Sequence, residues 1–115
     1  MVIGASTNEE RYANIAIKRL VFFKHEVKAL GLKEGVVAGI TIQTTFEDYD
    51  DIDTVTLYVG PKNQAAYYDY IVGLSPKRVI FNPGTENEAF YEILKTHGIP
   101  YFEYCTLVLL STGQY

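Results

Sequence analysis

Short β-branched runs alternate along the chain with longer stretches in which apolar residues recur every three or four positions, the arrangement of parallel strands joined by crossover helices. Val2 and Ile3 read as a first strand that runs into Gly4, Ala5 and Ser6. Ile15, Ala16, Leu20 and Phe23 mark one face of a helix over 9–24, behind the cap candidates Ser6, Thr7 and Asn8. A second strand is predicted over 25–30, after which Gly31, Gly35 and Gly39 punctuate a loop to Gln43 that holds an extended piece around Val36 and Val37. Residues 46–51 read as one acidic helical turn, and the nearly continuous apolar run 54–59 as a central strand buried on both faces. Gly60 and Pro61 break that strand, and Ala66, Tyr70, Ile71 and Leu74 recur on one face of a helix starting at Lys62 or Asn63. A strand over 78–81 ends at Asn82, Pro83 and Gly84; a helix over 86–97 stops at Gly98; a last strand covers 101–104. The apolar tail 106–110 is short enough for a strand or a helical turn, and Gly113 as a C-terminal cap favours the turn. The predicted fold class is α/β: a single domain over 1–115 with a five-stranded parallel sheet, order 3-2-1-4-5, and helices on both faces.

Composition narrows what such a domain does. The chain is 48% hydrophobic and 21% charged, which is globular and excludes disorder. No apolar run reaches the roughly 18 residues a membrane helix needs, and no charged segment precedes an apolar one at the start, so a cytoplasmic protein is expected. A net charge of -4 argues against nucleic acid as a partner. One cysteine, Cys105, forms no internal disulfide, and His25 and His97 lack metal-ligand spacing. No metal site is predicted.

In open parallel sheets ligands lie outside the carboxyl ends of the strands, so those ends carry the function. They read Gly4-Ala5-Ser6, Leu30-Gly31-Leu32-Lys33, Val59-Gly60-Pro61 and Asn82-Pro83-Gly84-Thr85. Glycine-bearing turns that feed helix N-termini favour phosphate through free amides and the helix dipole. The first turn matches a dinucleotide fingerprint only in Gly4, with Ser6 and Glu9 replacing the later glycines. The second strand ends without the acidic residue that holds the ribose of NAD and carries Lys33 instead, which suits a nucleotide with an extra ribose phosphate, NADP or CoA.

The segments VIGASTNEERYAN at 2–14, DTVTLYVGPKN at 53–63, KRVIFNPGTEN at 77–87 and CTLVLLSTGQ at 105–114 resemble the small bacterial CoA-binding proteins. These are stand-alone relatives of the N-terminal domain of the succinyl-CoA synthetase α subunit. The resemblance covers nearly the whole chain. It implies a Rossmann-like fold with CoA or an acyl-CoA across the strand ends and no established catalytic activity. By that resemblance Gly4, Ala5 and Ser6 meet the phosphates with Arg11 and Tyr12 nearby, and Lys33 is the basic residue after the second strand. Val59, Gly60 and Pro61 flank the nucleotide, while Asn82, Pro83, Gly84 and Thr85 line the pantetheine side. Glu9 stands where relatives usually have proline, and the first strand is short for a central one.

Other residues read more plainly. Cys105, among Tyr104, Leu107 and Val108, is expected to be a small buried hydrophobe, slow to react, rather than a group exchanging with a CoA thiol. Of the ten tyrosines, Tyr12, Tyr58 and Tyr67 are candidates for stacking on adenine, and the rest for covering core edges. Asp48, Asp50, Asp51 and Asp53 lack the spacing of a calcium loop. No catalytic triad stands out. The reading is therefore a non-catalytic CoA-binding module, expected as a homodimer through its apolar tail and tyrosines. Its rivals are an NADP-dependent oxidoreductase on a minimal scaffold and an interaction protein that has lost its ligand.

Overall fold

The computed structural model describes all residues, 1–115. In chain order the elements are β1 (Val2–Ala5), α1 (Tyr12–Phe22), β2 (Ala29–Gly31), β3 (Gly35–Val37), β4 (Ile40–Gln43), β5 (Thr54–Leu57), α2 (Tyr68–Leu74), β6 (Arg78–Phe81), α3 (Glu88–Thr96), β7 (Tyr101–Glu103) and α4 (Thr106–Ser111). One sheet of seven strands runs β3-β4-β2-β1-β5-β6-β7, parallel at every step except the edge pair β3–β4. The α/β, Rossmann-like class is as the sequence predicts.

The strand count and order are corrected. Residues 35–43, expected as a loop with an extended piece around Val36 and Val37, form the hairpin β3–β4, whose turn residues Ala38 and Gly39 both take positive φ, 51° and 78°. Strand β4 lies directly beside β2, in the place predicted for the run 54–59, which instead pairs with the opposite side of β1. Counted without the β3 edge strand, the order becomes 3-2-1-4-5-6. Residues 46–51 form no helical turn; Phe46 instead stacks on Tyr70 at 4.6 Å, and the Tyr70 hydroxyl donates to the Glu47 carbonyl. The second helix is shorter than predicted, because 61–67 form two 3-10 turns ahead of α2.

Alternate strand residues feed two cores. Ile3, Leu30, Val55, Leu57, Val79 and Phe81 pack with Ile71 and Leu74 of α2 and with Phe90 and Leu94 of α3. On the other face Val2, Ala5, Ala29 and Ile42 pack with Ala13, Ile17 and Leu20 of α1 and with Leu110 of α4. Every residue of β5 is buried, as expected of a strand covered on both faces. The stripe that α1 buries is Ala13, Ala16, Ile17 and Leu20, while Phe23, expected inside, is 44% exposed beyond the helix end.

Candidate functional site

The carboxyl ends of β1, β2, β5 and β6 lie side by side, as the pairing order requires. At the first of them Gly4 has φ +95°, and a Cβ there would stand 2.9 Å from the Tyr58 carbonyl carbon and oxygen. Only glycine lets β1 turn this close to β5. The turn that follows is built by its own side chains: the Ser6 hydroxyl accepts from the Asn8 amide, and the Asn8 side chain from the Glu10 amide, both at 3.0 Å. These local bonds compete with helix formation, which is why α1 begins at Tyr12 rather than near Glu9. Its N-terminus has no side-chain cap and no acidic residue in the first turn, leaving amides and dipole open to an anion.

Ala5 is buried, Ser6 half-buried, and Arg11 and Tyr12 are exposed beside that helix end. Asn14, which the sequence did not single out, is buried beneath the turn; its Nδ2 donates to the Ser6 carbonyl at 3.0 Å, while its Oδ1 has no protein partner.

At the end of β2, Gly31 lies against β1 so closely that a Cβ would come within 2.3 Å of the Ala5 carbonyl oxygen. Leu32 and Lys33 follow, both exposed. Gly35 in turn accommodates Thr7: a Cβ on it would meet the threonine methyl. The first turn is thus seated on the edge strand β3.

The ends of β5 and β6 are buckled together by a residue that carries no sequence signal. Gln64 lies in the turns after Pro61 and is fully buried. Its Nε2 donates to the Val59 carbonyl at 2.8 Å and to the Thr85 carbonyl at 2.7 Å, and its Oε1 accepts from Asn87 at 2.9 Å. Asn87 also caps α3 through the Phe90 amide.

Asn82 is buried as well. Its Nδ2 donates to the Thr56 hydroxyl at 2.7 Å and the Leu57 carbonyl at 2.9 Å, and its Oδ1 accepts from the Thr106 amide at 2.9 Å. The Thr85 hydroxyl donates to the Asn82 carbonyl at 2.7 Å. Both side chains are engaged inside the protein, so of 82–85 it is Pro83 and Gly84 that face solvent. Gly60 and Pro61 are exposed and Val59 half-buried.

The remaining candidates fall elsewhere. Cys105 is half-buried at the N-cap of α4, in a cleft of about 470 Å³ with Tyr104, Val108 and Leu109. Tyr58 turns its ring into the α1–α4 core, and burial pushes its hydroxyl up to about 12; Tyr67 packs on Phe46. Of the three stacking candidates, Tyr12 alone is open, at 70% exposure. Asp48, Asp50 and Asp51 are exposed, and Asp53 accepts from the Thr54 hydroxyl.

A mostly parallel sheet with helices on both faces and a glycine turn under an uncapped helix end defines a Rossmann-like α/β domain. The chain belongs to the CoA binding domain family, whose profile matches residues 1–111. It is similar to a solved structure described as an uncharacterized protein, at 48% identity over 99% of this chain and 94% of that one, with a TM-score of 0.95. A hypothetical protein from Pyrococcus horikoshii OT3 is 26% identical over 96% of this chain and 80% of its own, TM-score 0.87. A hypothetical protein from Pyrococcus furiosus is 28% identical over 93% and 94%, TM-score 0.82. Comparison with curated proteins gave no match. No helix is long and apolar enough to cross a membrane.

Proposed function

We propose that this protein binds CoA, free or as an acyl thioester, across the carboxyl ends of β1, β2, β5 and β6, and that it serves as an accessory binding module rather than a catalyst. The observation that carries the reading is the turn at Gly4 delivering the chain to an uncapped α1, within a chain of the CoA binding domain family. In this reading the Gly4-Ala5-Ser6 turn holds the pyrophosphate with Arg11 and Tyr12 at its rim. Lys33 meets the ribose phosphate, Val59 to Pro61 flank the nucleotide, and Pro83 and Gly84, held in place by Asn82 and Thr85, pass the pantetheine arm.

Mass spectrometry of ligand released from the purified protein tests the identity directly, with CoA or a thioester expected. Calorimetric titration of the wild type and Lys33→Ala with CoA, dephospho-CoA and NADP tests the arrangement. Loss of the lysine should weaken CoA by about tenfold and dephospho-CoA much less, the low end for a charge-assisted bond because the side chain is exposed. Equal losses for both CoA forms would move Lys33 to the pyrophosphate. Tight NADP binding without CoA binding would make the chain a minimal oxidoreductase scaffold and overturn the proposal.

A further inference from the structure

Strand β7 is the free edge at one end of the sheet, pairing with β6 alone. The Val79 amide donates to the Pro100 carbonyl at 2.9 Å. In a parallel ladder with Ile80 opposite Phe102, that bond turns the Phe102 amide and carbonyl towards β6 and leaves those of Tyr101 and Glu103 pointing out of the edge. The side chains divide by face. Tyr101 stacks on Tyr91 at 4.4 Å and Glu103 accepts from the Tyr91 hydroxyl at 2.6 Å, both on the α3 side. Phe102 and Tyr104 project to the other side, stacked on each other at 5.2 Å and 37% and 44% exposed, beside Val108 of α4 at 54%.

We propose that this edge pairs with the same edge of a second copy of the chain, antiparallel about a two-fold axis through Phe102, to make one continuous sheet. The register follows from the backbone. Phe102 faces Phe102 of the second copy as a non-hydrogen-bonded pair, the close kind that brings side chains into contact. Tyr101 and the second copy's Glu103 then face each other with both outward amides and carbonyls, exchanging two hydrogen bonds, and symmetry repeats the pair.

The charges agree with this register and with a second copy as the occupant. Lys95, in the last turn of α3, holds its ammonium near Glu92, at 3.3 Å, and beside the Tyr101 hydroxyl. Pairing Glu103 opposite the second copy's Tyr101 places its carboxylate, one oxygen of which keeps the Tyr91 hydroxyl, on the same face as the second copy's Lys95 and one strand away from it, twice across the axis. On the opposite face the two Phe102–Tyr104 pairs and the two Val108 side chains meet. A three-residue strand with an acidic residue is normally guarded against edge pairing. Here Lys95 of a second copy answers that acid, so the guard selects one register.

Sedimentation velocity and light scattering across a concentration series test this. A small interface of this kind is expected to show a dissociation constant on the order of tens of micromolar. Phe102→Lys and Glu103→Lys should each raise it by about tenfold or more, and adding Lys95→Glu to Glu103→Lys should recover most of that loss. Circular dichroism establishes that each variant is folded; Phe102→Thr, which retains strand propensity, serves if the lysine variants are not. A wild type that stays monomeric at about 1 mM overturns the proposal. So does a dimer indifferent to Phe102 and Glu103, or a charge swap that recovers nothing.

Discussion

Gly31→Ala should destabilise the protein by about 3 to 5 kcal/mol, beyond the usual cost of overpacking. The new methyl group has nowhere to go, because the Ala5 carbonyl oxygen lies 2.3 Å from its position and the Ile42 Cγ2 at 3.0 Å. The first of these is backbone in the partner strand, and relieving the clash means parting β2 from β1 at the centre of the sheet. In a domain of this size each kcal/mol shifts the melting temperature by roughly 4 °C, so a fall of about 12 to 20 °C is expected in a thermal melt. Gly60→Ala supplies the control, since nothing lies within 4 Å of its Cβ position and its φ is negative. Its melt should match the wild type. If both variants melt alike, the close approach of β2 to the first turn is not a feature of the folded protein.

Asn82→Leu should cost about 2 to 5 kcal/mol, although the two side chains share the same branched heavy-atom skeleton. The asparagine amide joins three elements: it donates to Thr56 and Leu57 of β5 from the end of β6 and accepts from the Thr106 amide at the start of α4. Leucine leaves the Leu57 carbonyl and the Thr106 amide buried without partners, each at roughly 1 to 3 kcal/mol. The Thr56 hydroxyl retains its 2.6 Å bond to Thr106, which limits the damage. Urea titration measures the loss. A variant as stable as the wild type that no longer binds CoA would show instead that Asn82 is a ligand contact and that its internal bonds matter little.

What the residues disclose in advance depends on whether the local signal and the tertiary contact coincide. The run 54–57 is apolar and β-branched because it is covered on both faces, and the strand is where the pattern puts it. Gly98 ends α3 with φ +67°, a conformation that advertises itself as glycine. The β3–β4 hairpin is hidden by the opposite circumstance: its turn needs positive φ at two positions, yet one is alanine, so the familiar Asn-Gly signal is missing. One unseen strand was enough to misplace β5 in the order. In the site, glycines at strand ends are legible, whereas Asn82 reads as a turn residue open to ligand and lies buried. Gln64 carries no local signal and is a buckle. Whether an amide faces solvent or the next strand is settled by pairing partners distant in sequence, and no local pattern reports that.

The division of the core has a consequence for the order in which the chain can fold. Nine of the ten residues clustered under α1 and α4 fall between Val2 and Ile42; the tenth is Leu110. The first strand, first helix and the hairpin can therefore gather most of one hydrophobic face from local contacts while the remainder is still being synthesised, at low loop-closure cost. The opposite cluster draws on residues from Met1 to Ile99 and must wait for β5 and β6 to close their long crossovers. Leu110, arriving last, seals the half that forms first.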